Sequence, residues 1–184
     1  MPAPPTTSYD PAKLNIDPSG QGTLTVTTTG TSSTGNNTTN DNTLVNGVCL
    51  PFDGRSTKFV VSTRILGPLT NINKAFMQSG IMLGTSQVYF AKLVAGVQQS
   101  TGSNPPLVLE FALETRNQQT RVGPLITLPS RATINTLDLQ LIGDPAAGTI
   151  SAAYSVNGEP FQTLPDRAVI STDILGRFYG GHST

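Results

Sequence analysis

Two carboxylates pose the first chemical question. Glu110 and Glu114 stand four residues apart in Val108-Leu109-Glu110-Phe111-Ala112-Leu113-Glu114. A strand sends alternate side chains to opposite faces, so both carboxylates share one face, with Leu109, Phe111 and Leu113 on the other. Two carboxyl groups facing one cleft are the equipment of a glycosidase. A retaining enzyme needs one ionised and one protonated, about 5–5.5 Å apart. Other hydrolytic designs are poorly provided for. The single histidine is His182 and the single cysteine is Cys49. Ser-His-Asp or Cys-His catalysis is not expected, nor is a zinc site of His and Cys ligands. Cys49 reads as a small buried apolar residue, with no partner for an intrachain disulfide.

If the Leu and Phe of 107–113 pack inward, Glu110 and Glu114 point outward. Residues of matching phase on neighbouring strands are Arg64, Lys92, Asp138 and Gln140. A polar face of mixed sign can hydrogen-bond sugar hydroxyls. The same residues can instead pair across strands, Lys92 with Glu110, each pair contributing about 0.2–1 kcal/mol. With no Trp, flat stacking surfaces fall to Tyr89, Phe90, Tyr154 and Tyr179. Tyr154 is in phase with Ile150, Ala152 and Val156 and is expected in the core. Tyr89 is therefore kept with the polar residues as a candidate ligand contact. The Asn/Asp-rich loop at 35–42 could offer oxygen ligands to Ca²⁺, although with Asp41 alone charged it fits no EF-hand. Asp53 in Asp53-Gly54-Arg55 reads as a turn residue.

The elements that must position these groups are strands. The chain has 184 residues, enough for one domain with a sizeable core. Its 11 Lys+Arg balance its 11 Asp+Glu, which excludes the basic footprint of a nucleic-acid binder. Charged residues make up only 12%, and 18 Gly and 14 Pro favour turns over helices. No apolar run is long enough for membrane insertion as a helix, and the Met1-Pro2-Ala3-Pro4-Pro5 start is no signal peptide. Residues 1–8 read as a Pro/Thr linker or tail and 9–184 as a single β-sandwich domain. Alternation predicts strands at 23–27, 44–52, 58–65, 107–114, 121–128, 137–142 and 149–156. A hairpin is expected between 76–83 and 88–94 around Gly84-Thr85-Ser86-Gln87. Residues 143–148 are a turn cluster, and Asn157-Gly158 is the strongest short hairpin signal, leading into 161–164. The expected core is Leu24, Val26, Phe59, Val61, Leu107, Leu109, Phe111, Leu113, Leu137, Leu139 and Leu141. The segment 30–42 lacks apolar residues and must be a surface loop; Asn36 and Asn37 there each begin an N-x-Thr sequon.

Several segments in order carry a resemblance. They are Lys58-Phe59-Val60-Val61-Ser62-Thr63-Arg64, Gln78-Ser79-Gly80-Ile81-Met82-Leu83, Tyr89-Phe90-Ala91-Lys92-Leu93, Val108-Leu109-Glu110-Phe111 and Ala152-Ala153-Tyr154-Ser155-Val156-Asn157-Gly158. The set, spanning about residues 15–180, resembles the concanavalin A-like lectin/glucanase jelly roll. It is most similar to the branch appended to secreted glycosidases and bacterial cell-surface proteins. The resemblance implies an all-β fold of two antiparallel sheets, one concave and one convex, in an extracellular module. Glucanases of that fold carry an Asp between their two catalytic Glu, and here Ala112 stands in its place. The group that would help split the two ionisation states is missing. Members of the family also usually follow the segment resembling 178–181 with one more strand. Either that strand is lacking here, which would leave an open sheet edge able to recruit another copy, or 177–181 is itself the closing strand.

These readings converge on a non-catalytic extracellular β-sandwich module for cell-surface attachment or adhesion, with weak glycan binding on the concave face. Its partners would be a glycan or a neighbouring protein module. A dedicated carbohydrate-binding module of a secreted glycosidase is the alternative. A retaining glycosidase using Glu110 and Glu114 comes third.

Overall fold

The computed structural model describes residues 11–17, 22–26, 52–54, 57–86, 89–98, 105–115 and 118–169. Among them the structure is all-β. Twelve strands are present: β1 (Leu14–Ile16), β2 (Leu24–Val26), β3 (Phe59–Leu66), β4 (Gln78–Ser86), β5 (Tyr89–Gly96), β6 (Val108–Thr115), β7 (Gln118–Arg121), β8 (Ile126–Thr127), β9 (Thr136–Asp144), β10 (Thr149–Val156), β11 (Gln162–Thr163) and β12 (Ala168–Val169). Two short 3₁₀ turns, Pro11–Lys13 and Arg131–Thr133, accompany them.

The strands form two five-stranded antiparallel sheets and one small hairpin. The first sheet runs β11-β10-β9-β3, with β12 also on β10; the second runs β4-β5-β6-β7, with β8 also on β6. They are called here the β9 sheet and the β6 sheet. Their inner faces meet in a single core. Leu137, Leu139, Leu141, Ile150 and Ala152 come from the β9 sheet, and Ala91, Leu93, Ala95, Leu109 and Phe111 from the β6 sheet. All of these are at most 1% exposed. This is a two-sheet antiparallel β-sandwich, as the alternation predicts. Strand β9 shows the cause most simply. In Thr136-Leu137-Asp138-Leu139-Gln140-Leu141 the leucines are buried and the polar residues between them half-buried. Phe59, Val61, Leu113 and Tyr154 pack against the core while partly buried.

The loops are fixed by turn chemistry and by three polar side chains. Asn157 and Gly158 take φ of 53° and 79°, the left-handed pair that a tight hairpin turn needs. The Asn157 side chain accepts from the backbone N–H of Asn135 and Thr136 at 2.7 and 3.1 Å, and donates to the Thr133 carbonyl at 2.8 Å. It thereby joins the β10–β11 turn to the entry of β9. The Arg131 guanidinium donates to the carbonyls of Ile72 and Pro105, tying the β3–β4 crossover to the start of β6. Between β9 and β10, Asp144 Oδ1 accepts from the Ala147 N–H and Gly148 sits at φ 63°.

Four expectations are corrected. Leu24 is 43% exposed, because among the described residues β2 pairs only with β1, in a hairpin separate from both large sheets. Strand β4 continues through Ser86, its register shifting between Gly84 and Ser86, so Gly84-Thr85-Ser86 is a bulged strand end and not a turn. The run 121–128 is broken into β7 and β8 by residues 122–125, where Gly123 takes φ 73°. Most important, β5 is buried on both faces along its whole length, and β6 nearly so. Glu110 and Glu114 are therefore buried, at 2% and 1%, although Phe111 is buried on the opposite face as expected. The Val26 side chain, most of the 44–52 strand, Cys49, the sequons, the 35–42 loop and the C-terminal strand question all fall outside the described residues.

Candidate functional site

The antiparallel register divides the candidate residues between two sheets. Arg64 on β3 faces Asp138 on β9, and Asp138 faces Ser155 on β10. Ser62 faces Gln140 in the next row of the same surface. Lys92 on β5 faces Ala112 on β6, between Glu110 and Glu114. Both sets point away from the core, but the β9 and β6 sheets lie on opposite sides of it. The single polar face expected to gather Arg64, Lys92, Glu110, Glu114, Asp138 and Gln140 is thus two faces. Tyr89 belongs to neither: it is 7% exposed and lines the core, one residue out of phase with Lys92.

The face of the β6 sheet is a polar cluster, buried at Lys92, Glu110 and Glu114 and reaching solvent at Gln119 and Arg121. Glu110 accepts from the Gln98 and Gln119 amides at 3.3 and 3.2 Å and from Arg121 Nε at 3.3 Å. Arg121 supplies the ion pair that the sequence assigned to Lys92. The Lys92 ammonium, 1% exposed, donates instead to Gln78 Oε1 at 3.1 Å. Burial holds the Lys92 pKa below the ordinary lysine value, against the opposing pull of Glu110 and Glu114. Buried charges persist only when paired and hydrogen-bonded, and Arg121 with the Gln98 and Gln119 amides supplies both to Glu110.

The face of the β9 sheet is open. Ser62, Thr63, Arg64, Asp138, Gln140 and Phe161 line a shallow groove of about 410 Å³. Arg64 forms a two-point pair with Asp138, Nε to Oδ1 at 2.7 Å and Nη2 to Oδ2 at 3.1 Å. The hydrogen bond to Asp138 raises the Arg64 pKa, so the guanidinium stays charged. Two of its five N–H groups serve the carboxylate and three remain to donate. Phe161 is 47% exposed beside this pair. Sequence reasoning set Phe161 only at the mouth of a hairpin. Its signal was the Asn157-Gly158 turn. That turn brings β11 back on β10 with Gln162 facing Tyr154, which leaves Phe161 at the Ser155–Asp138–Arg64 row.

No protein-family model matches the chain, and no curated protein matches it significantly.

A second groove of about 430 Å³ lies at the end of the sandwich, lined in part by Pro129, Tyr154, Glu159 and Gln162. Two of its polar groups already satisfy each other, Tyr154 Oη donating to Gln162 Oε1 at 2.9 Å. Among the described residues no three His, Cys, Asp or Glu side chains converge as a metal site, and no helix is long and apolar enough to cross a membrane.

Proposed function

We propose that this chain is a non-catalytic β-sandwich module of an exported protein, acting in attachment at a cell surface or matrix, and that the Arg64–Asp138–Phe161 groove takes the glycan. One observation carries the reading: a fixed guanidinium–carboxylate pair lies beside an exposed aromatic ring on an open sheet face. A sugar presents hydroxyls that donate and accept together, and an apolar C–H face. The pair offers three N–H donors and the unused lone pairs of Asp138; the ring offers the apolar surface. Gln140 and Ser62 extend the polar row. The pair is neutral as a whole, which favours a neutral glycan. The two antiparallel sheets are compatible with the concanavalin A-like resemblance, and the jelly-roll identity is part of this proposal.

The non-catalytic part rests on Glu110. Three side-chain donors hold its two oxygens in a buried setting, and Ala112 supplies no third carboxylate. A nucleophile or general acid must be able to reach the sugar and change its bonding during the reaction.

A glycan array with the wild type, Arg64→Ala and Phe161→Ala tests the reading. Binding to neutral glycans that both substitutions abolish is the expected result. Binding unchanged in both variants, or no binding to any glycan, overturns the groove assignment. Hydrolysis of a β-glucan that disappears in Glu114→Gln would overturn the non-catalytic part.

A further inference from the structure

The outer strand of a sheet presents N–H and C=O groups on its free side, a template for another strand unless something blunts it. Among the described residues β3 pairs on one side only, with β9, over its full eight residues and without a bulge. The other sheet edges are blunted in the usual ways. Strands β8, β11 and β12 are two residues long and β7 is four. Strand β4 carries Gly80 and Gly84 and shifts register between Gly84 and Ser86. Strand β3 holds no glycine, proline or lysine, and its one charge, Arg64, is turned back onto Asp138 of β9. Its side chains are also incompletely covered. Val60 and Leu66 on the outer face are 55% and 54% exposed. Val61 and Ile65 face the core yet stay half-buried, whereas Leu137, Leu139 and Leu141 on neighbouring β9 are fully buried.

We propose that β3 pairs antiparallel with β3 of a second copy, about a two-fold axis through Thr63. In Val60-Val61-Ser62-Thr63-Arg64-Ile65-Leu66 the polarity pattern is the same from either end: two apolar residues, three polar ones, two apolar ones. The axis sets Val60 opposite Leu66, Val61 opposite Ile65 and Ser62 opposite Arg64, each pair made twice. The two exposed apolar residues then cover each other on the outer face. The half-buried pair carries the core of one copy into that of the other. Partners across an antiparallel pair share a face, so the axis must pass through a residue, and its neighbours serve less well. An axis through Arg64 sets that charge opposite itself, and one through Val61 sets it opposite Lys58. An axis through Ser62 leaves Leu66 opposite Lys58 and Val60 opposite Arg64. With 11 Lys+Arg against 11 Asp+Glu, the copies carry no net charge to hold them apart. The interface uses the same patch on both copies and therefore closes at two. It also runs the Phe161–Ser155–Asp138–Arg64 row of one copy into the Ser62–Gln140 row of the other. If the groove takes a glycan, the two grooves meet across the axis.

The test is sedimentation equilibrium of the full chain over a concentration series with no glycan present, so failure of the glycan reading leaves it intact. Wild type should show a monomer–dimer equilibrium. Ser62 is exposed, and its replacement leaves the core untouched. Ser62→Lys sets a second cation opposite Arg64 at both symmetry-related pairs and should weaken the dimer about 2- to 30-fold. Ser62→Glu sets an anion there and should strengthen it by a similar factor, about 2- to 30-fold, a gain that should vanish in an Arg64→Ala background. A wild type that stays monomeric at its highest soluble concentration would overturn the proposal. So would an open series of larger polymers, which marks unlike surfaces joined head to tail. A dimer that both Ser62 variants weaken, or that neither alters, would overturn the axis through Thr63.

Discussion

Asn157 offers a test that separates hydrogen bonding from backbone conformation. Its side chain makes three hydrogen bonds to the backbone of 133–136, and its φ is 53°. Each bond contributes about 0.5–1.5 kcal/mol net. The residues are exposed, so water can take over part of each bond, and their summed loss should be near the low end, about 1.5–2.5 kcal/mol. An alanine at positive φ adds about 1–2 kcal/mol of steric cost that glycine does not incur. Asn157→Gly should therefore cost about 1.5–2.5 kcal/mol and Asn157→Ala about 1–2 kcal/mol more. Urea unfolding of both variants against wild type reads these values, provided the slope m is unchanged. The order of the two variants is the sharper check. Equal stability of the Ala and Gly variants would refute the conformational argument. Wild-type stability of the Gly variant would refute the hydrogen-bond argument.

Other perturbations follow from the same packing. Phe111→Ala should cost about 3–5 kcal/mol by lost transfer energy and a residual cavity, read by denaturant unfolding; a change below about 1 kcal/mol would remove Phe111 from the core. Gly80→Ala would place a Cβ 2.2 Å from the Leu93 carbonyl oxygen and 2.7 Å from Val94 Cα, both backbone atoms of β5, and should destabilise by about 1–3 kcal/mol in the same assay. Asp144 is held below its ordinary value of 3.8 by the Lys58 ammonium, 2.7 Å away, and by backbone N–H groups of Ala147 and Ala146. A depressed carboxylate pKa stabilises the fold above the unfolded value and loses that contribution as pH falls through the folded one. Thermal midpoints of wild type and Asp144→Asn should therefore differ at neutral pH and converge below pH 3.8; a constant difference would contradict the assignment.

Much of the fold was legible because period-two alternation reports directly which face is buried. Leu137, Leu139 and Leu141 alternate with Asp138 and Gln140, and no other placement satisfies both sets. Alternation distinguishes in from out but says nothing about which sheet a strand joins. Arg64 and Lys92 share a phase, yet register sets them on opposite sides of the molecule. Leu24 failed for a related reason: its alternation is real, but its only described partner is β1, outside the sandwich. The burial of Glu110 and Glu114 did leave a mark in the chain. Tyr89-Phe90-Ala91-Lys92-Leu93-Val94-Ala95-Gly96 has one polar residue in eight, the composition of a strand covered on both faces. A strand so apolar could not lie beside a solvated Glu110. Phe161 could not be placed on the groove until the length of the β10–β11 connection was known, since one residue of slip would send it to the other face.

The central claim is that the open face of the β9 sheet binds a glycan and the β6 face does not. The most direct measurement is the amide chemical-shift map of the labelled protein, titrated with the strongest ligand from the glycan array. Shifts should cluster at residues 62–64, 138–140 and Phe161, and vanish in Phe161→Ala. Shifts centred on Lys92, Glu110 and Glu114, or none at saturating glycan, would contradict it.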